Sequence, residues 1–368
     1  MLLNVQMLRA IAAFLVVFVH LEKLVEMAGF PPGSTYFGNS GVDLFFVISG
    51  MILVLTTAGG RLTALGFLRN RFTRIAPLYW SITLFVFGVA VVAPSLLQST
   101  TSDPLQLLKS LAFIPFARAD GAMHPTVFVG WTLNYEMAFY ALFAAGMLLP
   151  GRHLGLAVTG GVLIAAVAAG QALKPKDPAL SFLLQPIVLE FAGGMALGVL
   201  LPRLPARPGW RWPAMALGGA AFVVMLADAW LFPGVDRALA FGVPALVIVA
   251  CAAIVEQTGL RANLGWVQLL GAASYAVYLT HFFCTQAVVK LFERLDVQGA
   301  LAWAGVPLAF LLVALVGVAA HLRIELPLTE LSRRWLAPAR PRRPQTVAAA
   351  GSDGHVVDQP GLAEERGC

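Results

Sequence analysis

The feature that most constrains this chain is a series of long apolar segments that contain few charged residues. Only 12% of its 368 residues are charged and 59% are hydrophobic, whereas a soluble domain carries about 25% charged residues. About 20 consecutive apolar residues form a helix that crosses a bilayer. Ten such spans are predicted: 6–26, 40–57, 75–96, 131–149, 154–171, 180–201, 213–231, 238–256, 267–290 and 299–321. The sequence therefore predicts an all-α, polytopic membrane bundle and excludes a soluble enzyme, a disordered chain and a secreted disulfide scaffold.

The basic residues give an orientation for this predicted bundle. The net charge is +6, from 25 Lys and Arg against 19 Asp and Glu. An even number of spans places both termini on one side, and 16 of the 25 basic residues fall on that side. Because basic loops stay in the cytoplasm, both termini are predicted to be cytoplasmic. The positive charge then encodes topology, and no nucleic-acid partner is expected.

The chain divides into two predicted parts. Residues 1–322 form the membrane domain, and residues 323–368, rich in Pro, Arg, Ala and Gly, are predicted to be a mostly disordered cytoplasmic tail. Any chemistry is then expected in the membrane bundle or in its short loops.

Ionisable side chains inside spans are costly, so they are candidates for function. Arg9 and His20 lie eleven residues apart in the first span. At 100° and 1.5 Å per residue they share a helix face and are separated by about 16.5 Å along the axis. The alternative is an interfacial Arg and a His that is hydrogen-bonded within the bundle.

Three ionisable residues are predicted to meet near the outer side of the membrane. His20, Asp43 and Glu136 lie at similar depths, about 5 to 9 Å from the outer ends of their helices. A His beside a carboxylate is a general-base arrangement, because the carboxylate fixes the tautomer and supports the imidazolium. The alternative is that both acids simply favour the positive end of a helix dipole.

The inner side carries a different cluster. Arg71 and Arg74 are i,i+3 neighbours on one helix face. With Arg9 they are predicted to form an anion site at the cytoplasmic mouth, since guanidinium groups bind phosphates. The alternative is the ordinary basic flank of a membrane helix. No spacing typical of a metal site is present, and three further ionisable residues within spans have open roles: Glu190, Asp228 and His281.

Five motifs in order along the chain resemble the membrane acyltransferase-3 family, especially its exopolysaccharide-production branch. They are LRAIAA at 8–13 followed by His20, GVDLFFVISG at 41–50, RFTRIAPLYW at 71–80, WTLNYE at 131–136 and SYAVYLTH at 274–281. The resemblance implies a multi-pass inner-membrane enzyme that transfers an acyl group, usually acetyl, from cytoplasmic acyl-CoA to a hydroxyl of an extracytoplasmic glycan. The family's Arg and His, separated by ten residues, correspond here to Arg9 and His20, and its arginine motif corresponds to Arg71 and Arg74.

The resemblance and the charge pattern together predict an O-acetyltransferase. Arg9, Arg71 and Arg74 would hold the phosphates of acetyl-CoA, and His20 would act on the acceptor hydroxyl. Asp43 or Glu136 would orient His20 or the acceptor. Direct transfer and a covalent acyl-histidine both remain open. Two other classes are a secondary transporter, which would show matching halves and broken helices, and a structural subunit of a polysaccharide export machine.

Overall fold

The computed structural model describes residues 2–96, 102–118, 121–231 and 234–336, except for the side chains of residue 96 and residues 228–231. This part of the chain is all-helical, and no strand occurs in it, as predicted. Its α-helices are α1 Leu3–Val19, α2 Glu22–Met27, α3 Ser40–Thr57, α4 Ala64–Val92, α5 Pro104–Leu111, α6 Trp131–Gly146, α7 Arg152–Leu173, α8 Pro178–Leu183, α9 Leu189–Leu200, α10 Arg211–Leu231, α11 Val243–Gln257, α12 Gly265–Ala272, α13 Ser274–Arg294, α14 Gly305–Ala320 and α15 Leu326–Trp335.

Each of the ten predicted spans overlaps at least one of these helices, but the lengths differ. In the part of the chain that the structure describes, seven helical segments are long and apolar enough to cross a membrane, and the bent pair α12–α13 is an eighth candidate. The two remaining intervals correspond to α1, with 17 residues, and α6, with 16. Both are shorter than the roughly 20 residues of a complete span. The count of ten spans and the cytoplasmic position of the termini therefore stay predictions.

The first predicted span is broken at His20. Helix α1 ends at Val19, and the short helix α2 begins at Glu22. The amide of His20 donates to the carbonyl of Val17 (3.1 Å) and that of Leu21 to Phe18 (3.0 Å). These i→i+3 bonds tighten the last turn. His20 thus lies at the C-terminal end of α1.

Helix α4 begins well before the predicted span at 75–96. The Thr63 hydroxyl caps its first turn by accepting from the amide of Gly66 at 3.1 Å, and the Phe67 side chain is fully buried. A hydropathy window starts later because Arg69, Arg71 and Arg74 lower its mean. The early start places these arginines on a regular helix.

The first residues of the predicted tail, 323–336, are helical. A π-helical turn at His321–Glu325 leads into α15, which packs against α4. The guanidinium of Arg69 donates to the carbonyl of Leu336 at 2.8 Å, and the buried His321 and Glu325 side chains pair at 2.8 Å. The compositional bias towards Pro, Ala and Gly belongs to residues 337–368, which lie outside the described residues.

Helix α3 lies at the centre of the bundle and packs closely against α1 and α9. A methyl group on Gly194 of α9 would lie 2.1 Å from the carbonyl oxygen of Val47 on α3. A methyl group on Gly41 would lie 2.2 Å from the carbonyl oxygen of Ala12 on α1. Glycine lets these helix backbones approach each other. This close packing brings α1, α3, α6 and α13 together around the candidate site.

Candidate active site

The three predicted arginines face one cavity of about 150 Å³ between α1, α3, α4, α6 and α13. Arg9 enters from α1, while Arg71 and Arg74 enter from one face of α4. The structure therefore brings together the cluster that the sequence predicts. The other polar residues of this cavity, called the arginine cavity below, are Gln6, Ser49, Thr132, Glu136, Tyr140, Ser274, Tyr275 and Tyr278.

The guanidinium groups in the arginine cavity are held mainly by neutral partners. Arg9 donates to the amide oxygen of Gln6 at 3.1 Å, and Arg71 donates to the Thr56 hydroxyl at 3.3 Å. The Arg71 guanidinium also lies over the rings of Phe67 and Tyr140, 5.6 and 5.9 Å from their centroids. Within the described part of the chain, none of the three arginines forms an ion pair.

One donor in this cluster is buried without a partner. The Nε of Arg71 has no hydrogen bond among the described residues. Leaving a buried polar group unpaired is costly, more so when the group is charged. The arginine cavity is thus suited to an anionic group that receives several guanidinium hydrogen bonds.

Glu136 lies in the arginine cavity rather than beside His20, so the predicted meeting of His20 with both carboxylates does not occur. The Tyr140 hydroxyl donates to Oε1 of Glu136, and the Ser49 hydroxyl donates to the same oxygen at 3.4 Å. The prediction compared only the depth of each residue below the outer end of its own helix. The neighbours of a side chain also depend on how each helix is tilted and rotated, which depth does not describe.

His20 faces a second cavity of about 240 Å³, called the histidine cavity. Its other lining residues are Val16, Val19, Asn39, Val42, Phe128, Val129, Trp131 and Tyr278. Val42 and Tyr278 line both cavities. The Tyr278 hydroxyl donates to the carbonyl of Val129 and lies 2.8 Å from the Thr132 hydroxyl. Tyr278 is therefore a fixed part of the wall between the cationic cavity and the one that contains the histidine.

The partner of His20 is another histidine. Nδ1 of His20 lies 2.8 Å from the carbonyl oxygen of Val16 and 3.3 Å from Nε2 of His281. His281 is fully buried, and its own Nδ1 lies 2.6 Å from the carbonyl oxygen of Tyr278. From the sequence, the role of His281 was open: it could be a hydrogen-bond partner within the bundle or a site residue. The structure places it next to His20, the principal candidate base.

Asp43 is fully buried, and it lines neither cavity. Its carboxylate receives two hydrogen bonds from Arg237, at 2.8 Å from Nη2 and 3.3 Å from Nε. Arg237 is not among the site residues predicted from the sequence, and its position just before an apolar span was the available signal.

The remaining sequence candidates give no further site. Glu190 is buried, and neither of its carboxylate oxygens has a hydrogen-bond partner among the described residues. The side chain of Asp228 lies outside the described residues. In the ranges that the structure covers, no group of three or more His, Cys, Asp or Glu side chains is arranged to hold a metal ion.

Comparison with known proteins identifies the family. The sequence profile of the acyltransferase-3 family, described as an acyltransferase domain, matches residues 2–322. The chain belongs to this acyltransferase family. It is also 33% identical over 306 residues to the exopolysaccharide production protein ExoZ of Rhizobium meliloti (strain 1021), covering 80% of this chain and 91% of that protein. No solved structure matches.

The family match and the helical fold both indicate an acyltransferase embedded in a membrane. This acyltransferase is a multi-pass membrane protein, and its arginine and histidine cavities lie within the matched region.

Proposed function

We propose that this acyltransferase works in the bacterial inner membrane and transfers an acetyl group from cytoplasmic acetyl-CoA to a hydroxyl of an extracytoplasmic glycan. The similarity to an exopolysaccharide production protein supports an acceptor in exopolysaccharide assembly. The observation that carries the proposal is the adjacency of the two cavities, one lined by three arginines and the other by His20.

The charges of the arginine cavity support a site for the phosphates of the donor substrate. Phosphate groups of CoA would receive hydrogen bonds from Arg9, Arg71 and Arg74, including the unpartnered Nε of Arg71. Charge-assisted contacts of this kind are about twice as strong as neutral ones. Glu136 lies on the same side and offers its carboxylate to an amide N–H of the pantetheine arm. The arm would then extend along α1 towards His20, about 16.5 Å from Arg9 along the helix.

The histidine cavity is the proposed place of acyl transfer, because His20 lines it. His20 would remove the proton from the acceptor hydroxyl while the hydroxyl oxygen attacks the thioester carbonyl carbon. The C–S bond then breaks, the acyl group stays on the acceptor oxygen, and the CoA thiolate takes the proton from His20. The Asp43 carboxylate lines neither cavity, so we assign it a structural role. Its ion pair with Arg237 would hold the start of α3 in place.

The test uses the full-length purified protein in lipid nanodiscs, with radiolabelled acetyl-CoA and surface glycan from a strain that lacks this acyltransferase. The double variant Arg71→Ala/Arg74→Ala is expected to bind acetyl-CoA at least about tenfold more weakly, because charged hydrogen bonds contribute about 1.5–3 kcal/mol each. His20→Ala is expected to keep acetyl-CoA binding and lose transfer. Arg61→Ala is the matched control, because Arg61 is exposed just before α4 and lines neither cavity.

Two results would overturn the proposal. Unchanged acetyl-CoA affinity in the arginine variant contradicts the donor site, and wild-type transfer by His20→Ala contradicts the base. Solute movement across the membrane without consumption of acetyl-CoA would favour a transporter instead. In cells, mass spectrometry of surface glycans is expected to show the loss of one acetyl group when this acyltransferase is absent.

A further inference from the structure

Two histidines from distant parts of the sequence are in direct contact at the candidate site. His20 ends α1 and His281 lies on α13, and their nearest ring nitrogens are 3.3 Å apart. We infer that His281 is a positioning residue for His20: its Nε2 accepts a hydrogen bond from the Nδ1–H of His20 and supports the imidazolium formed during transfer. This inference rests on the proposed function and adds a residue to it.

The carbonyl partners assign the tautomers of both rings. A carbonyl oxygen only accepts, so the ring nitrogen facing it carries the hydrogen. Nδ1 of His281 faces the carbonyl of Tyr278 at 2.6 Å, which leaves its Nε2 with a free lone pair. Nδ1 of His20 faces both the carbonyl of Val16 at 2.8 Å and this lone pair. His20 is therefore an Nδ1–H tautomer.

The same assignment leaves Nε2 of His20 as the basic nitrogen. Among the described residues, no group is hydrogen-bonded to this atom, and His20 lines the histidine cavity. A hydroxyl in that cavity would donate to Nε2, and the ring would become an imidazolium with N–H groups on both sides. The Nδ1–H would then donate to Nε2 of His281 and to the carbonyl of Val16, and these neutral acceptors stabilise the positive charge.

His281 thus shares with the carbonyl of Val16 the place that a carboxylate takes in a catalytic triad, as an acceptor for the Nδ1–H of His20. Within the described part of the chain, no carboxylate is hydrogen-bonded to His20; Asp43 pairs with Arg237, and Glu136 lies in the arginine cavity. Aromatic contacts restrict the His20 ring further. Phe282 lies perpendicular to it at 5.7 Å between centroids, and Phe128 lies at 5.8 Å.

A pair of variants separates this role from a purely structural one. In His281→Gln, the longer amide reaches the former Nε2 position and offers an oxygen to His20. In His281→Asn, the shorter amide reaches only the former Nδ1 position and retains the bond to Tyr278. Both variants keep a polar group in the buried space, and both are measured for folded yield and acetyl-CoA affinity in nanodiscs.

We expect His281→Asn to lower kcat by about 10- to 100-fold with KM for acetyl-CoA unchanged, as for the loss of one transition-state hydrogen bond. His281→Gln is expected to restore kcat to within about fivefold of the wild type, since it keeps one such bond. His153→Gln is the control, because His153 is exposed at the start of α7.

The outcomes distinguish this inference from the function on which it rests. Equal kcat in His281→Asn and the wild type, with His20→Ala inactive, overturns the role of His281 alone. Equal loss in the Asn and Gln variants with normal folding also overturns it, because a missing acceptor is then not the cause. If the wild type itself transfers no acetyl group, the proposed function and this inference fail together.

Discussion

At the residue scale, the charged side chains inside this acyltransferase differ in whether they form an ion pair. The three arginines of the arginine cavity form no ion pair among the described residues, whereas Arg237 forms one with Asp43. The side chain of Asp43 is fully buried and that of Arg237 is 29% exposed. Removing one member of such a pair leaves the other uncompensated.

Arg237→Gln is expected to lower the free energy of unfolding by about 3 kcal/mol, because it leaves buried Asp43 uncompensated beside the Glu190 carboxyl. Asp43→Asn is expected to cost less, because Arg237 also interacts electrostatically with Glu190. The double variant is expected to lose less than the sum of the two, since neither charge then remains. Thermal unfolding in detergent measures all three. If the loss of stability in the double variant equalled the sum of the two single losses, Asp43 and Arg237 would not be energetically coupled.

The same variants test the predicted catalytic role of Asp43. If its role is the ion pair, the folded fraction of Asp43→Asn/Arg237→Gln transfers acetyl groups at a rate near that of the wild type. A stable double variant without activity would instead support the catalytic assignment.

At the element scale, the site depends on how closely α3 approaches its neighbours. Ser49 and Val42 on α3 line the cavities, while Gly50 on the same helix packs against the backbone of α9. A methyl group on Gly50 would lie 2.2 Å from the carbonyl oxygen of Phe191. A change at the contact between α3 and α9 is therefore expected to move cavity-lining side chains that it does not touch.

Gly194→Ala is expected to lower both thermal stability and acetyl-transfer activity, because its new methyl group would meet the carbonyl of Val47 at 2.1 Å and force α3 and α9 apart. Overpacking of this kind costs about 1–3 kcal/mol. The melting temperature in detergent and the transfer rate are measured together. Gly161→Ala on α7 is the control, since open space surrounds its Cβ position; equal effects of both changes would contradict the packing argument.

At the scale of the whole molecule, the two cavities must open towards opposite sides of the membrane for a cytoplasmic donor to meet an external acceptor. This requires the predicted orientation, with the residues before α4 in the cytoplasm and those between α2 and α3 outside. Cys251 and Cys284 are buried, which favours thiol labelling at introduced positions.

In a Cys368→Ser background, Pro32→Cys is expected to react with a membrane-impermeant maleimide in intact spheroplasts. Gly59→Cys is expected to react only after permeabilisation, because both positions are exposed but lie on opposite sides of the predicted bilayer. Labelling in the reverse order would place the arginine cavity on the external side and contradict a cytoplasmic CoA donor.

The sequence by itself determined the all-helical membrane fold, because apolar segments of bilayer length must form helices that satisfy their own backbone. It also determined the shared face of Arg71 and Arg74, because i,i+3 spacing is a property of one helix. In the structure both arginines line one cavity with Arg9, and the family to which the motifs pointed is confirmed.

Only the tertiary structure decided which residues meet across helices. The pairing of His20 with His281 and of Asp43 with Arg237 joins positions separated by 261 and 194 residues. The placement of Glu136 beside the arginines likewise depends on how α6 faces α3 and α4. Depth along one helix is fixed by rise per residue, but neighbours depend on the tilt and rotation that packing imposes on each pair of helices.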